Sequence, residues 1–94
     1  MSEDALQALA RCRREIEELD RELVALLVRR VARSKEIGSL KRSAGLPTLD
    51  PAREAEVIRR AAAIAREQGL AHEKVRDIFW HVIDLSRGAQ MEAE

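Results

Sequence analysis

Ala5–Arg42, ALQALARCRREIEELDRELVALLVRRVARSKEIGSLKR, decides the fold. Apolar residues recur in steps of seven: Leu9, Ile16, Leu23 and then Ile37. A second track runs Cys12, Leu19, Leu26 and then Leu40. Spacings of this kind gather side chains into a seam along one side of a helix. No proline interrupts the stretch, and its glycine, Gly38, lies near the end. Ser2 is placed to cap the start, and Glu3 and Asp4 suit the positive end of the helix dipole. Gly45 and Pro47 stop it. The spacing therefore predicts one unbroken helix.

Cations interrupt the seam. Arg30 stands seven residues after Leu23 and seven before Ile37, where the pattern calls for an apolar side chain. Arg13 lies between Leu9 and Ile16, and Lys41 follows Ile37 by four. A buried cation is costly unless something anionic meets it, so this face is expected to bind an anion.

The helix is also too long for a compact monomer. Its 38 residues span roughly 57 Å at about 1.5 Å each. A compact chain of this size has a radius of gyration near ~12 Å. The seam then needs cover from outside, and a second copy of the chain, in an antiparallel or interlocked homodimer, is the expected cover.

A loop follows from Ser43 to Leu49. Asp50-Pro51 opens a second helix, with Asp as cap and Pro as first helical residue. It runs to about Gln68, with Val57, Ile58, Ala61, Ile64 and Ala65 inward, and Gly69 ends it. A third helix runs from about His72 to Met91, its apolar face Val75, Ile78, Phe79, Val82 and Ile83. That stripe continues into Ser86 and Gln90, two uncharged polar residues. The tail, Glu92 to Glu94, is expected to fray. The expectation is an all-α chain of three helices, one domain over residues 1–94 with a core at about 5–91.

Composition narrows the function. Acidic and basic residues number 17 each, so no global field draws nucleic acid or membrane lipid. Phe79 and Trp80 are the sole aromatics, too few for a base-stacking platform. No apolar run approaches membrane-spanning length, and no signal peptide is visible. Cys12 is the lone cysteine, which suits a reducing cytoplasm and the role of a small seam residue. His72 and His81 have no metal-like spacing with other ligands, and neither metal nor cofactor is expected.

The inward-leaning polar set is Arg13, Arg30, Lys41, Arg53, Glu54, Ser86 and Gln90, with Asp50 beside it. Each alone has a plainer explanation. Arg30 can snorkel past its neighbours. Arg13 sits in a basic run, and Lys41 meets a helix C-terminus. Asp50 caps a helix, Arg53 and Glu54 are common first-turn residues, and Ser86 can bond back to a helix carbonyl. Together they form a cationic set of fixed donors without a nucleophile–base pair. That set suits a small dianion, and catalysis by positioning and charge stabilisation rather than by a covalent intermediate.

From about Leu6 to Gln90 the chain resembles the all-helical chorismate mutases, small three-helix enzymes of aromatic amino-acid (Phe/Tyr) biosynthesis that form intertwined dimers. Arg13-x-x-Ile16-x-x-Leu19-Asp20, Leu26-Leu27-x-x-Arg30, Ile37-Gly38-x-x-Lys41, Asp50-x-x-Arg53-Glu54 and Ser86-x-x-x-Gln90 carry the resemblance. It implies the rearrangement of chorismate to prephenate. In that reading Arg30, with Arg13 from the partner subunit, holds the substrate carboxylates, and Ser86 assists. Lys41 and Gln90 donate to the ether oxygen. Glu54, helped by Arg53 or Asp50, binds the ring hydroxyl. Isochorismate pyruvate-lyases share the fold, the cations and the final Gln, but their pattern lacks Glu54 and Ser86. A purely associating helical module is the third reading, one better served by Leu or Ile where Arg30 and Lys41 stand.

Overall fold

The computed structural model describes residues 2–92, and over these the chain folds into three α-helices. Helix α1 spans Glu3–Ser43, α2 spans Pro51–Glu67 and α3 spans His72–Glu92. The all-α expectation holds, with α1 two residues longer at its start and one at its end than the periodicity indicated. Of the expected tail, Glu92 closes α3, and Ala93 and Glu94 lie outside the described residues.

The helix ends are built by the residues that announce them. Ser2 Oγ accepts from the Ala5 N–H at 3.1 Å, and Asp50 Oδ1 accepts from the Arg53 N–H at 3.1 Å. At the end of α1 the Leu46 N–H returns to the Lys41 carbonyl at 2.8 Å and the Gly45 N–H to that of Arg42 at 3.1 Å. Leu70 and Gly69 repeat the pair at the end of α2, on the carbonyls of Ala65 and Arg66. Each is a Schellman closure, which needs a left-handed residue; Gly45 (φ 70°) and Gly69 (φ 76°) supply it without steric cost.

Helix α3 is the centre of the arrangement. It packs against α1 on one side and α2 on the other, while α1 and α2 do not pack on each other. The buried apolar residues Ile58, Ala61, Ala62 and Ala65 of α2 meet Ile83 and Ala89 of α3 in a core of mostly small side chains. Two residues assigned to inner faces lie outward: Ile64 is 51% exposed and Ile78 57%. Within the chain α2 has α3 as its one partner helix, too little to cover its whole stripe, and Ile78 lies outside the part of α3 that α1 and α2 cover. Ala62 takes an inward place that the stripe did not assign it.

Helix α1 projects far past this core. The chain measures 64 × 25 × 15 Å, with a radius of gyration of 17.9 Å. Leu9, Ile16, Leu19, Leu23, Leu26, Ile37 and Leu40 are 37–67% exposed. The seam found in the sequence is thus not covered by the chain itself.

Contact between α1 and α3 is tight at Gly38, which is buried. A Cβ there would stand 2.9 Å from the Gln90 carbonyl oxygen and 3.1 Å from its Cα. Backbone cannot give way as a flexible side chain can, so Gly38→Ala must push the helices apart. The expected cost is about 1–3 kcal/mol, read as a lower urea midpoint at unchanged slope. An unchanged midpoint would mean that the crossing has slack.

Candidate active site

Because α1 and α2 both lie against α3 without touching each other, a cavity opens between them, with α3 along its wall. Its volume is about 500 Å³. Helix α1 contributes Arg30, Arg33, Ser34, Ile37 and Lys41; the following loop and cap contribute Thr48 and Asp50. Arg53, Glu54 and Val57 come from α2, and Ile83, Ser86, Arg87 and Gln90 from α3. Seven of the eight residues singled out in the sequence line this cavity. Arg13 does not: it is exposed on the projecting part of α1, 17 residues before Arg30, or about 25 Å along the helix.

The cations are held by neutral oxygens. Arg30 Nη1 donates to the buried Ser86 hydroxyl. Lys41 Nζ donates to the Thr48 carbonyl at 2.9 Å and to Gln90 Oε1 at 3.1 Å. An ammonium has three N–H donors, and these bonds use two. With its oxygen turned to Lys41, the Gln90 amide keeps its NH₂ as a donor. Burial pushes the Arg30 guanidinium below its ordinary value, though an arginine stays charged. The cavity therefore presents positive charge without a carboxylate cancelling it at Arg30 or Lys41.

The carboxylates of the site are occupied in different ways. Asp50 caps α2. Glu54 is gripped by Arg87, whose Nη2 reaches Oε1 at 2.6 Å and whose Nε reaches Oε2 at 3.1 Å. These bonds and the charge of Glu54 hold the Arg87 guanidinium above its ordinary value against the opposing effect of desolvation, and the charge of Asp84 adds a smaller push the same way. Arg53 turns to Glu56 at 3.3 Å, an exposed pair of the kind that contributes little.

Sequence reasoning missed several participants, the Thr48 carbonyl and the buried Ser34 among them. Arg33 fills the gap that the second apolar track leaves between Leu26 and Leu40, a signal matching the one that exposed Arg30. Arg87 lies four after Ile83 and three before Gln90, a second way to continue the α3 stripe beside the route through Ser86. Arg42 Nη1 donates to the Gln90 carbonyl at 3.4 Å, meeting one of the last carbonyls of α3, which have no partner within the helix. No local pattern announced that contact, because it joins residues 48 apart.

The sequence profile of the chorismate mutase type II family matches residues 12–91. A T-protein of Haemophilus influenzae is 32% identical over 74 residues, which cover 79% of this chain and 20% of that protein. A chorismate mutase of Methanocaldococcus jannaschii is 25% identical over 87 residues, covering 93% of this chain and 88% of the relative. The chain thus spans about one fifth of one curated relative and most of the other. Among solved structures, a conserved hypothetical protein from Pyrococcus furiosus superposes with a TM-score of 0.72 at 31% identity, over 88% of this chain and 95% of its own. With the profile spanning both ends of the cavity, from Arg30 to Gln90, the chain belongs to the chorismate mutase type II family.

Proposed function

We propose that chorismate rearranges to prephenate in this cavity, a step toward phenylalanine and tyrosine. The observation that carries the reading is the meeting of Arg30, Lys41 and Gln90 in one cavity, the two cations oriented by neutral oxygens and the Gln90 amide by Lys41, in a member of this family. The reaction breaks an ether C–O bond and forms a C–C bond in one concerted step. No proton is transferred and no covalent intermediate forms, so catalysis reduces to holding a conformer and stabilising charge.

Arg30 binds one substrate carboxylate, with Ser86 fixing its guanidinium. Lys41 and the Gln90 NH₂ donate to the ether oxygen, where negative charge develops as the C–O bond lengthens. Glu54 accepts from the ring hydroxyl; Asp50 and Arg53 form the rim beside it. Clamping the carboxylates folds the flexible side chain over the ring, the geometry in which the new bond can form. No cofactor enters the scheme. Among the described residues no helix is long and apolar enough to cross a membrane, and the cytoplasm is the compartment this reading expects.

Arg13 enters through a second copy. The exposed seam of α1 supports an intertwined homodimer, since a face of this length in leucine and isoleucine is poorly tolerated in water. In such a dimer Arg13 reaches the cavity of the other protomer and completes the carboxylate clamp.

The direct test is to offer chorismate and isochorismate separately and to assay prephenate and pyruvate. Prephenate from chorismate is expected; pyruvate from isochorismate alone would instead make the chain a lyase of the same fold. Lys41→Ala should lower prephenate formation by about 10²–10³-fold at unchanged helicity, the scale of losing one preorganised donor. Wild-type turnover in that variant would remove Lys41 from the scheme.

Gln90→Glu gives a pH signature. An amide donates at every accessible pH, but a carboxyl donates only while protonated. The wild-type profile should be flat between pH 5 and 8, whereas the variant should lose activity as pH rises, since model Glu titrates near ~4.3. Equal activity of the variant at both ends would place Gln90 away from the ether oxygen.

Arg13→Ala and Lys41→Ala should complement each other. In a mixed dimer, the site on the Arg13→Ala chain keeps its own Lys41 and borrows an intact Arg13, while the opposite site carries both lesions. After co-refolding equal amounts, about one site in four should recover. Activity that stays at the separate baselines, with exchange confirmed by mass, would rule out shared sites.

A further inference from the structure

Glu54 does not face the cavity as a bare carboxylate. Arg87 holds both of its oxygens, at 2.6 and 3.1 Å, across the gap between α2 and α3. Two parallel N–H···O bonds fix the plane of a carboxylate as one bond cannot, and they leave each oxygen a second lone pair. Both side chains line the cavity, with Glu54 only 20% exposed. Arg53, next to Glu54 in sequence, turns to Glu56 instead.

We propose that Arg87 is a positioning residue: it sets the Glu54 carboxylate so that its remaining lone pairs accept the substrate's ring hydroxyl, and it thereby gives the cavity its preference for a hydroxyl-bearing ring. This rests on the reading of the cavity as the place where chorismate rearranges. Charge points the same way. Without Arg87, a largely buried anion would face an incoming dianion, with Asp50 on the same wall, Arg30 and Lys41 held elsewhere by Ser86, Thr48 and Gln90, and Arg33 turned to Glu36. The fork offsets that charge while leaving the acceptor in place. The lysine alternative is a point charge and fixes no plane.

The test compares chorismate with an analogue in which hydrogen replaces the ring hydroxyl. Wild type, Arg87→Gln, Arg87→Lys, Glu54→Gln and the double variant Glu54→Gln/Arg87→Gln are assayed for kcat and KM, with helicity and melting followed for each. Arg87→Gln should lose about ten-fold in kcat/KM on chorismate and little on the analogue, so that the preference for the hydroxyl shrinks. Arg87→Lys should fall between the two. The double variant should be no slower than Glu54→Gln alone, because Arg87 acts through Glu54.

Equal losses on both substrates, additive losses in the double variant, or wild-type behaviour of Arg87→Lys would each overturn the proposal. Should Arg87→Gln fail to fold, the Lys variant decides on the same criterion. A wild-type protein that forms no prephenate overturns the parent reading and this one with it, whereas an active wild type with an unchanged substrate ratio in the variants overturns the role of Arg87 alone.

Discussion

Gly38 and Gln90 are far apart in sequence, yet no side chain fits between them. A Cβ on Gly38 would stand 2.9 Å from the Gln90 carbonyl oxygen. This approach sets the height of α3 on α1, and the rest of the cavity is referred to it. Lys41, less than one turn beyond Gly38, is thereby brought within 3.1 Å of the Gln90 side chain. Arg42, next in line, reaches the Gln90 carbonyl. One turn before Gln90, Ser86 meets Arg30, two turns before Gly38. The two helices are pinned at a glycine and stitched on both sides of it by cations. Helix α2, which rests on α3 alone, inherits its position relative to α1 from the same contact.

The stitching uses neutral acceptors: a hydroxyl, a backbone carbonyl and an amide oxygen. Carboxylates would have satisfied the cations more strongly but would have cancelled their field. Neutral oxygens orient the donors and leave the charge for a ligand. The chain as a whole carries no net charge, so attraction for an anion is confined to the cavity and fades within about 8–10 Å at physiological salt. Glu54 follows the opposite rule, being matched by Arg87, so that its own charge is offset at the wall.

Much of this was legible in the sequence because its determinants are local. Ser2, Asp50-Pro51, Gly45 and Gly69 act within a turn of where they stand, and the helix boundaries moved by at most two residues. Arg30 and Lys41 were visible because each breaks a periodic pattern. What escaped depends on pairing across the fold. Ile64 and Ile78 satisfy an inward stripe by spacing, but which part of a stripe is covered depends on how many neighbours each helix has. Glu54 could be placed at the site, but not its grip by Arg87, 33 residues away. The meaning of Gly38 was equally hidden: a glycine near the end of a helix reads as a weakness until the backbone it admits is seen.

The short turn between α2 and α3 has a consequence for how the site comes into being. Residues 68–71 join two helices that pack on each other, so this hairpin closes early, at small loop-closure cost. The contacts of α1 with α3 span some fifty residues and close at a larger loop-entropy cost, so they are expected to form later. The cavity is then a product of the last docking step, not of either part. An excursion that lifts α1 from α3 would erase the anion site while the hairpin stays intact, so the site can be lost at a free energy below that of global unfolding.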